Sequence, residues 1–161
     1  GTRTHQRSIG SKSTLKDLEK WVNTLIETND WRVGMTHGLT YGYDAFRNPQ
    51  RLWDHLDQVK ARENEIWVGT FREVASYIKE REETKLEVVN KKNTLLIAPE
   101  LKLDQELFVE PLTMVITGKE IKKVTVKQGK RRLPVQITDD KVLFDFDPYG
   151  GMIKVTLKIQ K

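Results

Sequence analysis

His37 ends a short run of strand-forming residues, Trp31-Arg32-Val33-Gly34-Met35-Thr36, and is followed directly by Gly38. An unperturbed histidine titrates near pH ~6.5, so it can act as a general acid or base at neutral pH. A strand that ends in His-Gly fixes the backbone, and the loop beyond leaves the side chain facing a cleft. The competing reading is a structural histidine bonded to backbone. Behind His37 comes an aromatic loop, Leu39-Thr40-Tyr41-Gly42-Tyr43-Asp44. An aromatic ring can pack on the apolar face of a sugar ring while polar groups meet its edge. Trp31, Tyr41, Tyr43 and Trp53 are the candidates for that role. Tyr41 and Tyr43 are the better two, because they lie on the loop after His37. Metal binding at His37 fits less well, since Asp44 is seven residues along on a glycine-containing loop and no second ligand stands at metal spacing. His55 falls in mid-helix beside Trp53 and reads as structural or exposed.

The elements that must position these residues follow from periodicity. Leu15, Leu18, Trp21, Val22, Leu25 and Ile26 recur at helical spacing, so 14–29 reads as a helix with Thr14 as cap and Asp17 three residues on. Trp31–Thr36 is then a buried strand. Pro49 suits the first turn of a second helix that runs to about Glu63, with Leu52, Leu56 and Val59 inward. Glu65–Gly69 is expected as a second strand, with Trp67 in the core. Thr70-Phe71-Arg72-Glu73 is a capping box opening a third helix to Glu83, with Val74, Ala75 and Ile78 inward. Residues 1–13 read as an extended loop. Arg3 or His5 stands at a cleft rim in the functional reading, and the segment is a frayed end in the bland one.

After Thr84 the period changes to two. Strands are expected over Leu86–Asn90, Thr94–Ala98, Leu112–Thr117, Lys122–Lys127, Leu133–Thr138, Val142–Phe146 and Met152–Ile159, with turn residues between them. That spacing suggests a small antiparallel β-sandwich. The expected fold class is therefore α/β plus all-β, with domains at 1–84 and 85–161. The first half alternates helix and strand as in a parallel sheet. Two parallel strands need cover on both faces and edges, so this half reads as the tail of a larger α/β domain, and self-association through an exposed sheet edge is expected.

The chain has 161 residues, 32% charged and 37% hydrophobic, and no cysteine. The last excludes disulfides, thiolate zinc sites and thiol catalysis. No apolar run approaches the ~20 residues that span a bilayer. Gly1 has the look of a scar left by tag removal, so a native segment upstream is expected. Net charge is +5, and residues 85–161 carry the excess, with 15 Lys and Arg against 10 Asp and Glu. An anionic partner is one reading of that excess; lysines on a solvent-facing sheet, which discourage aggregation, are the other. The basic stretch Lys119–Arg132 lacks interleaved aromatics, so nucleic acid is not expected as a partner. Phe144–Pro148 lacks the spaced oxygens of a calcium loop. Phosphate loops, nucleophile elbows and dinucleotide fingerprints are absent from the sequence.

Two segments in order, WRVGMTHGL and EIWVGTFREVASYIKER, resemble the carboxyl-terminal end of polysaccharide deacetylases, the carbohydrate esterases with a nodulation-deacetylase-like domain. The first carries an apolar-x-apolar-x-His motif at Val33, Met35 and His37. The second carries Trp67-x-x-Thr70-x-x-Glu73-Val74-x-x-Tyr77. The resemblance covers about 14–83, and the β-rich remainder is similar to an accessory domain of some members. It implies the last βα units of a distorted (β/α) barrel and hydrolysis of acetyl groups from glycans. It further implies His37 as the acid that protonates the leaving amine, Met35 lining an acetyl pocket, and a divalent, zinc-like metal in the complete protein. The metal motifs, Asp-Asp-Gly and His-x-x-x-His, are missing here, so no metal ligand is assigned in this chain and the chain alone is expected to be inert. A glycan-acting enzyme fits an extracellular or periplasmic setting. A non-catalytic carbohydrate-binding module is the alternative.

Overall fold

A computed structural model describes residues 4–118, 121–138 and 140–159. The chain divides into two compact units, 1–71 and 72–161, so most of the third helix belongs with the β-rich part.

The first unit begins with β1 (Thr4–Ser8), followed by α1 (Leu15–Thr28), β2 (Trp31–Met35) and α2 (Gln50–Lys60). Thr14 caps α1 in a full capping box with Asp17, and Asn29 ends the helix in the left-handed region at φ 50°. Leu18 and Val22 are the buried part of the α1 stripe. They explain why this helix docks, because apolar burial on one face is what stabilises a short helix. β1 and β2 pair in parallel, with His5 opposite Arg32 and Ser8 opposite Met35. Ile9, Leu18 and Phe46 form the core of this unit, with Leu52 of α2 against it.

The second unit contains α3 (Phe71–Glu83), which starts at the end of the first, and eight strands. These are β3 (Lys85–Lys91), β4 (Thr94–Glu100), β5 (Leu112–Thr117), β6 (Ile121–Gln128), β7 (Arg131–Leu133), β8 (Gln136–Ile137), β9 (Lys141–Phe146) and β10 (Ile153–Ile159). Every pairing among them is antiparallel, in a five-stranded sheet β3-β4-β10-β6-β7 and a three-stranded sheet β5-β9-β8. Alternate residues of both sheets, among them Ile97, Val126, Val155, Val142 and Phe144, fill one apolar core, and Tyr77 of α3 packs on it. Gln128 is buried and clamps the 147–151 turn. Its amide donates to the Asp147 carbonyl at 2.7 Å and accepts from the Asp147 N–H at 3.1 Å.

Several expectations are corrected. The chain is mostly β, 35% strand and 25% helix, with three helices, three separate sheets and no closed barrel among the described residues. The fold class expected from the resemblance, βα units of a distorted (β/α) barrel, is therefore overturned. Glu65–Gly69 makes no strand. Its start is a turn in which the Glu65 and Ile66 amides donate back to the Arg62 carbonyl. An apolar run becomes a strand only if it joins a ladder, and this one pairs with neither β1 nor β2. Trp67 is consequently 54% exposed rather than core. The segment read as an N-terminal loop supplies β1. No residue of β2 is fully buried: Trp31, Arg32 and Val33 are half-buried, and Gly34 and Met35 are exposed. The second helix presents Leu56 outward and buries His55 instead. The single strand expected over Leu133–Thr138 splits into β7 and β8, one in each sheet. Pro134 between them has no N–H to give to a ladder, and the chain changes sheets there. Phe144 and Phe146 are core residues, Asp145 accepts from Thr113 and Asp147 from the Tyr149 N–H. The acids of that stretch are thus engaged singly.

Candidate functional site

The carboxyl ends of β1 and β2 lie side by side, and the Ile9 amide extends the pairing to the Met35 carbonyl at 2.8 Å. The residues that follow, Gly10-Ser11 on one side and Thr36-His37-Gly38 on the other, are set next to each other by that register. Ligand sites of parallel sheets gather at this end because the loops there are free to vary while the strands fix their roots.

The loop after β2 is folded back on itself. The Phe46 amide donates to the Gly38 carbonyl at 3.3 Å, and the Thr36 hydroxyl donates to the same carbonyl at 3.1 Å. Ala45 and Phe46 are buried, which pins the loop's far end in the core. Two glycines make the fold-back possible. A Cβ on Gly38 would lie 2.4 Å from the Tyr41 carbonyl oxygen, and one on Gly10 would lie 2.0 Å from that of Asp44. Neither distance leaves room for any side chain, since the atoms met are backbone.

Asp44 joins the two loops. Its Oδ1 accepts from the Ser11 hydroxyl at 2.6 Å and the Ser11 N–H at 3.2 Å, and its own backbone sits at φ 48°. The Ser11 hydroxyl is the main reason the Asp44 carboxyl lies below its ordinary value. Burial opposes this, and the Ser11 N–H and the charges of His37 and Lys12 add to it. Arg51 of α2 braces the other loop by donating to the carbonyls of Ser11 and Ser13 at 3.1 and 2.9 Å.

His37 is exposed at the head of this arrangement. The Tyr43 ring meets it edge-on, with centroids 5.4 Å apart and planes at 79°. Tyr43 is 82% exposed and Tyr41 85% exposed, so both phenol rings are open to solvent. Of the sequence candidates, His37 and Tyr43 are brought into contact. Tyr41 shares the loop and contributes its carbonyl to the tight turn at Gly38. Met35 is 40% exposed at the end of β2, and the Gln6 amide approaches its sulfur at 3.9 Å.

The other candidates lie elsewhere. His5 sits near the amino end of β1 and faces Asp30 at 3.4 Å, which Arg32 also approaches at 3.8 Å. Arg3 lies outside the described residues. Trp31 is partly buried and packs at 4.8 Å on Phe71. His55 is buried with Nδ1 lacking a partner, and burial pushes its pKa down. Among the described residues no three His, Asp or Glu side chains stand close enough to share a metal ion. No helix among the described residues is long and apolar enough to cross a membrane.

Ser11 and Asp44 are the site residues that sequence reasoning did not bring together. They are 33 positions apart, and only the parallel pairing of a strand read as a loop makes them neighbours. The hint available was Gly10 followed by a short polar residue, the composition of a turn.

No family model matches this chain, and no curated protein matches it at a significant level.

Proposed function

We propose that the first unit is the carboxyl-terminal part of a deacetylase-like hydrolase acting on N-acetylated glycans, and that His37 is its proton donor. The observation that carries the reading is the placement of His37. It is an exposed imidazole at the carboxyl ends of two parallel strands, edge-on to the exposed Tyr43 ring, on a loop locked by Ser11 and Asp44. In the step assigned to it, water adds to the acetyl carbonyl. As the C–N bond breaks, His37 gives its N–H proton to the departing amine nitrogen, leaving acetate and a free amino sugar. Tyr41 and Tyr43 offer flat apolar faces to the sugar rings. Activation of the attacking water needs a base or Lewis acid, which this reading assigns to groups outside this chain.

The test is a titration of the chain with chitooligosaccharide, followed by the histidine ring signals in NMR. The expected result is a shift of the His37 ring at sugar concentrations on the order of 1 mM, reduced in Tyr43→Ala, with the His5 and His55 rings unmoved. Turnover is not expected from the chain alone. Sugar-induced changes confined to 72–161 would replace this reading with a carbohydrate-binding module. The absence of any change would remove the glycan altogether.

A further inference from the structure

The outer face of the five-stranded sheet carries a row of cations that the strand register places directly opposite one another. Lys154 of β10 is paired with Lys127 of β6, and Lys127 is paired with Arg132 of β7. All three are exposed, and they point away from the core because Ile153, Val155, Val126 and Leu133, their neighbours in sequence, point into it. Directly opposite side chains stand about 5 Å apart at Cβ, and like charges at that separation destabilise a sheet. The strands do not relieve the repulsion. β6, β7 and β10 contain no Asp or Glu, and none of the three cations has a carboxylate within ion-pair distance among the described residues. Lys123 extends the positive field along β6 on the same face.

The rung next to this row has a different character. Thr94 of β4, Thr156 of β10 and Thr125 of β6 lie opposite one another in register. The face therefore presents a line of cations beside a line of hydroxyls, flanked on β4 by Leu96 opposite Lys154. No aromatic residue occurs on either rung, so the face offers no stacking platform for nucleobases. Lysine ammoniums suit separate carboxylate or sulfate charges, and threonine hydroxyls suit the hydroxyls between them.

We infer that this sheet face is a binding surface for an acidic polysaccharide, held by Lys127, Arg132 and Lys154 with the threonine row against the sugar hydroxyls. The role of this face does not depend on the one proposed for His37.

The experiment measures binding of polygalacturonate, neutral dextran and oligothymidylate to the full chain as a function of salt. Polygalacturonate is expected to bind and to weaken as salt rises, while dextran does not bind. The triple variant K127Q/R132Q/K154Q is expected to lose roughly tenfold or more in affinity, and its log–log salt slope to fall by about 2 to 3. Removing like charges that face one another should leave it folded. If it does not fold, K127Q and K154Q singly carry the same test at smaller amplitude. T94V/T156V is expected to weaken polygalacturonate without altering the salt slope. The proposal is overturned if polygalacturonate does not bind, if the charge variants bind it unchanged, or if oligothymidylate binds as tightly.

Discussion

Asp44 accepts both the hydroxyl and the backbone N–H of Ser11, at 2.6 and 3.2 Å, and so ties the loop after β2 to the loop after β1. The tie joins the carboxyl ends of two parallel strands through side chains rather than through the ladder. It acts immediately beside Tyr43, whose ring stands edge-on to His37. The position of the aromatic is thereby set from the neighbouring strand.

Ser11→Ala should free this loop without unfolding the unit. The hydroxyl is the largest influence on the Asp44 carboxyl, so its removal should raise the Asp44 pKa toward the ordinary carboxylate value. NMR titration of the Asp44 carboxyl reads that change directly, and loss of contacts between the Tyr43 and His37 rings reads the loosening. Both signals should survive in Ser11→Thr, which keeps the hydroxyl. An Asp44 titration unchanged in Ser11→Ala would remove the tie as the cause.

How much of this was legible beforehand follows from which forces are local. The α1 cap was legible because Thr14 and Asp17 are three residues apart and satisfy each other within one turn. Apolar alternation likewise located β5, β10 and most of β9, since both sheets bury every second residue in one core. The exposed loop bearing His37, Tyr41 and Tyr43 was legible from its glycines and aromatics. What failed was long-range pairing. The segment at Thr4–Ser8 is fully exposed along its length, so it has no apolar pattern to announce a strand, and it is one only because β2 offers a parallel edge. The Ile66-Trp67-Val68 run has the opposite character, strand-like locally and without a ladder to join.

His55 should make the first unit sensitive to acid. Burial lowers its pKa in the fold, and its Nδ1 has no hydrogen-bond partner. The folded chain therefore binds this proton less readily than the unfolded chain, whose histidine titrates near ~6.5. Stability is expected to be full above that pH and to fall as pH drops below it, until the folded pKa is passed. All four tryptophans, Trp21, Trp31, Trp53 and Trp67, lie in the first unit, so denaturation followed by tryptophan fluorescence isolates it. His55→Leu removes the orphaned nitrogen and should stabilise the unit by about 1 kcal/mol at pH 7, with a flatter decline between pH ~7 and ~5. Equal acid slopes in the two proteins would show that His55 is not the group responsible.

Glu80 gives the second unit the reverse dependence. Its side chain is buried on α3, where Oε1 accepts from the Glu110 N–H at 3.0 Å and Oε2 has no partner. Burial pushes its pKa up, the nearby Glu110 and Asp147 charges push in the same direction, and the Glu110 amide opposes them. Tyr149 also feels the Glu80 charge, and its own hydroxyl is buried without a partner. A carboxyl whose folded pKa is raised stabilises the fold only while it keeps its proton. Its contribution is complete below the unfolded value near ~4.3 and declines as pH rises toward the folded value. At neutral pH, Glu80→Gln keeps the acceptor for Glu110 and removes the charge that burial disfavours. The second unit should gain about 1 kcal/mol, or roughly 4–8 °C in its melting midpoint. The gain should vanish as the pH is lowered to about 4, where the parent carboxyl is itself neutral. Calorimetry at the two pH values separates this from a general packing effect, which would persist in acid. A variant less stable than the parent at both pH values would mean that the ionised carboxylate is the form this site was built to hold.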